Sequence, residues 1–397
     1  MQEVRSQQEI TQKLQTAMKQ SGLDVLVLTK AESILYATGF ASKFAYMMQS
    51  PGVSTAVVPA NGNIVLIIND FEVGTARVQA PDIQVESYST WMYIHNEESA
   101  PAPKPSSLDT NSSFQIMIDL IRGRGSKLRV GVEAASLTWD FHSKLNSALS
   151  DMELIDGTPA LMQARKIKTK WEIEVLRRAT QIAEETMVLT GAQFVPGMTS
   201  ADLLNLYSRN AFSLDKNVID VFLAQGVGSH YSAVWVPNNV PCQTGDVIMI
   251  DGGVNYFGYH SDIARTFCLG KPSAAQEKIF NALYAGFLAG QEMLRPGVPF
   301  SEVFLAAQEA VQKNGLPYYT RGHVGHSIGV GVSGFVEESP FIAPDENTII
   351  EPNMVLSFEC PCYGADGSFN LEDSFLITES GFERFSTVND SLLWPLT

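Results

Sequence analysis

The 397 residues exceed one ordinary core, so length alone predicts two or three domains, two being the better fit. Hydrophobic residues make up 45% and aromatics 10%, which excludes disordered, collagen-like and mucin-like chains. With 27 basic against 43 acidic residues the formal charge is −16, the wrong sign for coating nucleic acid or an anionic membrane surface, and neither is expected as a partner.

The first nine residues lack a basic stretch followed by an apolar one, so no signal peptide is expected. No run of roughly 18 apolar residues is long enough to span a bilayer. Cys242, Cys268, Cys360 and Cys362 read as reduced thiols, and the expected location is the cytoplasm.

In chain order, Ile10, Leu14 and Met18 recur at helical spacing, and Ser21-Gly22 ends that helix. Val25–Leu28 reads as a buried strand. Ser54–Val58 and Asn63–Ile68 flank Asn61-Gly62, the signature of a hairpin. Residues 96–113, rich in Pro, Ser, Asn and Glu, read as an exposed loop. A helix over 113–123, a strand at Arg129–Val132, a helix over 138–149 and a strand at Glu153–Ile155 complete an α/β domain. The domains are set at 1–160 and 161–397. The basic run Arg165-Lys166-Ile167-Lys168-Thr169-Lys170 is expected to open a long helix reaching about Thr190, as its solvated start and an inter-domain contact.

Beyond it, Val195-Pro196-Gly197-Met198-Thr199-Ser200 recurs one hundred positions on as Arg295-Pro296-Gly297-Val298-Pro299-Phe300-Ser301. Each copy turns at Pro-Gly and starts a helix expected to carry a Ser or Thr cap. Two pseudo-symmetric halves are the expectation.

The chemistry concentrates in this second half. Asp246–Ile250 reads as a buried strand delivering Asp251, and a glycine-rich turn returns a second strand with Asp262. Gly322–Gly329 holds His323 and His326 in an apolar, glycine-rich stretch. Glu359 and Glu372 each sit in a strand-like apolar run. A carboxylate in such a context is costly unless paired, hydrogen-bonded or on a metal. Four acids and a histidine make an oxygen-rich set for two divalent ions such as Mn²⁺, Co²⁺, Fe²⁺ or Zn²⁺, and no cysteine is required.

The order Asp251, Asp262, His326, Glu359, Glu372, with flanks Ser261–Thr266 and Glu351–Val355, resembles the pita-bread metallohydrolases: creatinase, prolidase, aminopeptidase P and methionine aminopeptidase. The resemblance covers the chain from about residue 160 onward, and the α/β domain before it looks like that of prolidase. It implies an α/β N-terminal domain followed by an α+β pita-bread domain with pseudo-two-fold internal symmetry. It implies further that Asp251 chelates one metal, His326 and Glu359 the other, and that Asp262 and Glu372 bridge them. A hydroxide or water would attack the substrate, with Glu359 as general base.

Three positions depart from the peptidases. His230 falls earlier than their histidine before the first aspartate strand. Glu337 stands where they have a histidine in His-Glu-x-Pro, after a loop some four residues longer. Asn370-Leu371 replaces a basic residue before the last ligand. His230 and His323 are the candidate catalytic replacements. The resemblance thus implies a homodimeric hydrolase similar to an Xaa-Pro dipeptidase or aminopeptidase P, acting on a short peptide or amide. The alternative is a creatinase-like hydrolase or lyase acting on a small zwitterionic metabolite, and a non-catalytic binding module ranks behind both.

Overall fold

The computed structural model describes residues 3–91, 111–231, 239–331, 337–387 and 394–396. Packing divides the chain into two compact units, Arg5–Arg165 and Lys166–Thr397, the latter joined by the first residues up to Val4.

The first unit contains α1 (Gln7–Gln20), β1 (Val25–Leu28), α2 (Ala31–Thr38), α3 (Lys43–Met48), β2 (Thr55–Pro59), β3 (Val65–Asn69), α4 (Val73–Gln79), β4 (Gln84–Tyr88), α5 (Asn111–Arg122), β5 (Arg129–Val132), α6 (Trp139–Ala148), β6 (Glu153–Asp156) and α7 (Thr158–Lys166). Its sheet runs β4-β3-β2-β1-β5-β6, with β2 antiparallel to both neighbours and the outer pairs parallel. Val25, Val27, Val57, Ile67, Val130 and Val132 share one core with Met117, Ile118 and Ile121 of α5 and Phe141 and Leu145 of α6. Leu26 and Leu28 are equally buried, which is why β1 reads as an unbroken apolar run. The helix α4 and strand β4 went unpredicted; most of β4 is partly or wholly exposed, so it lacks a hydrophobic pattern. Most of the loop predicted over 96–113 lies outside the described residues.

The basic run is not a solvated helix start. It spans two helices, α7 and α8 (Lys170–Gln193), and a capping box between Thr169 and Glu172 begins the second. Arg165 and Lys168 are both buried. Lys168 Nζ donates to Ser327 Oγ at 3.1 Å and lies 3.9 Å from Glu338.

The second unit continues with α9 (Ser200–Leu214), β7 (Val218–Val227), β8 (His230–Tyr231), β9 (Val247–Tyr256), β10 (Tyr259–His260), β11 (Ile263–Leu269), α10 (Ala274–Gln291), α11 (Phe300–Lys313), β12 (Gly325–Ile328), β13 (Glu337–Phe341), β14 (Val355–Glu359), β15 (Cys362–Gly364), β16 (Gly367–Phe369), β17 (Glu372–Ile377), β18 (Phe382–Arg384) and β19 (Trp394–Leu396). The large sheet runs β13-β12-β14-β17-β11-β9-β7-β8. Its centre is symmetric: β7, β9 and β11 mirror β12, β14 and β17 about the antiparallel β11/β17 pair. The helices follow suit, α8 and α9 packing on β9 and β7, and α10 packing on α11 and β14. The equivalence extends to single hydrogen bonds. Gly197 and Cys242–Met198 exchange backbone bonds of 2.8 Å, and Gly297 and Ile350–Val298 repeat the pattern at 3.0 and 2.9 Å. Both Pro-Gly turns hold glycine in the left-handed region, at φ 96° and 89°. The caps differ. Thr199 caps α9 through its side chain, whereas α11 begins at Pro299 with no side-chain cap, so the Ser/Thr cap expected in the second copy is absent.

Candidate metal centre

The offset that carries Cys242 onto Ile350 also carries Asp251 onto Glu359. Strand register then aligns the acids. Asp251 lies opposite Ala264, Ala264 opposite Glu372, and Glu372 opposite Glu359, one row across four adjacent strands. Residues directly opposite in antiparallel strands point to the same face, so three carboxylates share it with the small Ala264 between them. His326 of β12 sits opposite Ser357, two residues before Glu359, and so projects to that face too.

Asp262 joins them through a tight reversal. The hairpin turns at Phe257-Gly258, both left-handed at φ 52° and 81°, while Gly252 and Gly253 remain inside β9. The latter glycines permit close approach instead: a Cβ on Gly253 would collide with Ser261 O. Asp262 therefore occupies the break between β10 and β11, buried beside the row.

Among the described residues, two groups can offer converging ligand atoms within 4.8 Å of one another: Asp262, His326 and Glu372, and Asp251, Glu359 and Glu372. Glu372 belongs to both. His326 Nε2 lies 3.4 Å from Asp262 and 3.8 Å from Glu372. Its Nδ1 is 3.0 Å from Ser327 O, which can only accept, so Nδ1 carries a hydrogen and Nε2 faces the acids. Glu359 falls in the group with Asp251 and Glu372; Arg321 Nη2 donates to its Oε1 and Asn370 Nδ2 to its Oε2, both at 3.0 Å. That same Asn370 nitrogen reaches Asp251 at 3.1 Å and Glu372 at 3.5 Å.

The electrostatics fit a cation. Burial pushes Asp251 and Glu372 well above the ordinary carboxylate range, and the neighbouring acids push them further. Asp262 is also raised by burial, although His326 opposes the shift. Burial lowers His326, but its hydrogen bond and attraction to Asp262 outweigh that and lift it to about 9. Asp262 Oδ1 is buried with no hydrogen-bond partner. Buried acids repelling one another beside a histidine are what divalent ions neutralise, an ion taking the place of the proton on Nε2.

The other sequence candidates divide. His323 is brought to the site, its Nδ1 3.9 Å from Glu359 Oε1. His230 is not: it lies exposed on β8, paired with Val227, and belongs to neither ligand group. Glu337, in β13 opposite Ile328, is near enough for its charge to raise Asp262 and Glu372. The longer loop preceding it falls on residues 332–336, outside the described residues. Arg321 went unnoticed in the sequence, where a lone arginine in a loop carries no signal. So did Tyr207, whose buried hydroxyl has no partner and whose pKa is raised by burial and then by Asp262 and Asp251. Behind the row, Arg265 donates to Glu372 O at 2.8 Å and to Asp373 at 3.0 Å, and Arg384 also grips Asp373, which fixes β17. All four cysteines are free, and no described helix is long and apolar enough to cross a membrane.

Comparison with known proteins agrees with this geometry. Residues 174–379 match the model of metallopeptidase family M24, and residues 11–167 that of the creatinase/prolidase N-terminal domain. An uncharacterized peptidase of Bacillus subtilis is 26% identical over 93% of this chain and 95% of its own length. The Xaa-Pro dipeptidase of Pyrococcus furiosus is 26% identical over 81% of this chain and 91% of its own. Among solved structures, an Xaa-Pro dipeptidase from Bacillus anthracis superposes with a TM-score of 0.78 at 22% identity, covering 98% of this chain and all of that one. The fold is thus an α/β N-terminal domain followed by a pita-bread domain, and the creatinase-like alternative is not favoured. This chain belongs to metallopeptidase family M24 and is a metal-dependent peptidase.

Proposed function

We propose that Asp251, Asp262, His326, Glu359 and Glu372 hold two divalent ions and that the enzyme hydrolyses short peptides, Xaa-Pro dipeptides foremost. The observation that carries this reading is the pair of ligand groups sharing Glu372. The oxygen-rich donors with one imidazole suit Mn²⁺, Co²⁺, Fe²⁺ or Zn²⁺. Such ions supply Lewis-acid polarisation of the scissile carbonyl and a lowered pKa for attacking water.

The protein's own groups do the rest. Glu359 accepts the proton of the attacking water at a carboxylate oxygen and is the general base. Asn370 and Arg321 hold its two oxygens apart and fix its orientation. His323, beside Glu359, can relay that proton toward the leaving amine. Asp262 fixes the His326 ring. His230, exposed and outside both ligand groups, is assigned no role. We place the enzyme in the cytoplasm as a homodimer.

The test is a panel of Xaa-Pro dipeptides, longer Xaa-Pro-Yaa peptides and creatine-like compounds, run with Mn²⁺ or Co²⁺. Dipeptide hydrolysis that Glu359→Gln abolishes, without lowering the melting temperature, is expected. Turnover of the creatine-like compounds alone, or full activity in Glu359→Gln, contradicts the reading.

A further inference from the structure

Lys168 lies behind the face that carries the acids. Along β12, His326 projects to that face, so the next residue, Ser327, projects to the other. Glu338 stands opposite Ser327 in β13 and shares the rear face. The Lys168 side chain, 1% exposed, meets both. Its Nζ donates to Ser327 Oγ at 3.1 Å and lies 3.9 Å from Glu338 Oε2. The lysine backbone is anchored as well, its N–H donating to Asn353 O at 2.8 Å just before β14, the strand of Glu359. Lys168 is thus a strut from the base of β14 to the back of β12.

The strut meets β12 where its pairing is irregular. His326 pairs with Phe341, yet Ser327 pairs with Glu338, so the register shifts between the histidine and its neighbour. Such a bulge bends a strand and re-aims a side chain. The direction of the His326 ring is tied to the same point, because its Nδ1 lies 3.0 Å from Ser327 O. Glu338 also presses on the chain just beyond, where a Cβ on Gly329 would stand 2.5 Å from Glu338 Oε1.

We propose that Lys168 is a positioning residue: it fixes the Ser327 peptide, and through it the His326 ring, so that Nε2 faces Asp262 and Glu372. The inference rests on the metal-dependent reading above. Burying a lysine and a glutamate is costly, and a well-packed apolar pair would hold two strands together as firmly. What the apolar pair does not supply is direction, which the ammonium donors do. A ligand nitrogen must be held within about 0.5 Å of its productive position, so a small rotation of the ring is felt as lost affinity. The loss falls on the Asp262, His326 and Glu372 group and leaves the ion beside Asp251 and Glu359 in place.

The experiment titrates metal-stripped protein with Mn²⁺ by calorimetry, beside melting curves, in wild type, Lys168→Arg, Lys168→Met and the double variant Lys168→Met/Glu338→Leu. Wild type is expected to bind two ions. Lys168→Met weakens one of them by about 10- to 100-fold and the other by less than about threefold, and Lys168→Arg, which keeps donors, recovers most of the loss. The double variant removes the orphaned carboxylate and regains melting temperature, but its affinity stays low. Affinity that recovers together with melting temperature shows that the pair serves the fold alone and overturns the proposal. So does an equal weakening of both ions. In a His326→Ala background, Lys168→Met is expected to lower Mn²⁺ affinity no further, and a second full loss there contradicts a route through the ring. A wild type that binds no Mn²⁺ shows instead that the metal reading has failed. Where Lys168→Met alone does not fold, the double variant carries the test.

Discussion

Gly253→Ala probes how the site is assembled without touching any ligand. A Cβ at this position would stand 2.7 Å from Ser261 C and 2.7 Å from Phe222 Cε1, and closer still to Ser261 O. Carbon–carbon contacts settle near 3.5–4.0 Å, so the hairpin must open by roughly 1 Å. The obstacle is backbone and cannot rotate away. Opening stretches the bonds Ser261 N to Val254 O, now 3.2 Å, and Val254 N to Ser261 Oγ, now 3.0 Å. Overpacking of this kind costs about 1–3 kcal/mol, and each of the two weakened hydrogen bonds about 1 kcal/mol more, giving an expected loss of about 3–5 kcal/mol. Ser261 precedes Asp262, and a site tolerates displacement of only about 0.5 Å. Affinity for Mn²⁺ should therefore fall by about 10- to 100-fold. Urea unfolding gives the first quantity and calorimetric titration the second. Gly381→Ala, where a Cβ meets nothing within 4 Å, is the control. A Gly253→Ala protein as stable as that control, with unchanged affinity, would refute the close approach as the reason for glycine.

Further outcomes follow from the electrostatics. His326 is raised from 6.5 to about 9, so its contribution to the metal-free fold is complete below pH 6.5 and lost as pH rises through 9. The raised Asp251, Asp262 and Glu372 act in the same direction, since a carboxyl whose pKa is raised in the fold costs stability as pH climbs from the ordinary carboxylate range up to its folded value. Metal-free protein should thus lose melting temperature from pH 6.5 to 9 relative to metal-loaded protein; parallel curves would contradict this. Asn370→Ala removes the donor shared by three acids, and should lower the melting temperature of the metal-free form more than that of the Mn²⁺ form. Equal shifts would show that the amide serves packing alone. Lys168→Met leaves the buried Glu338 without a cation 3.9 Å away and should cost about 3 kcal/mol in urea unfolding; a loss below 0.5 kcal/mol would show that the charge matters little there.

Much of the candidate centre was legible because each acid stands in an apolar, strand-like run and the five residues follow the family's order. Asp251 and Glu359 end equivalent apolar runs, and a lone acid after such a run has few inexpensive explanations. The two Pro-Gly turns pointed to pseudo-symmetric halves in the second unit, and the family resemblance implied its architecture. Other features hid for identifiable physical reasons. Gly252 and Gly253 read as a turn, yet they lie within β9, because close strand approach and chain reversal both select glycine. Lys168 looked like solvated charge, since no sequence pattern reveals a partner 159 positions away. Arg321 and Tyr207 reach the acids only through tertiary packing. Pro299 displaced the expected helix cap because proline already holds the extended backbone that a cap position needs. His230 had the right chemistry in the wrong place, exposed on a short strand outside the row.

The most direct test is metal stoichiometry coupled to activity. Protein stripped by chelation is titrated with Mn²⁺ or Co²⁺ while bound metal and dipeptide hydrolysis are followed together, in wild type and in Asp262→Asn. Close to two ions per chain, with hydrolysis rising as they bind and both lost in Asp262→Asn, is the predicted result. A chain that binds neither ion, or one that cleaves the dipeptide equally well without metal, would contradict the assignment of the acid row as a metal centre.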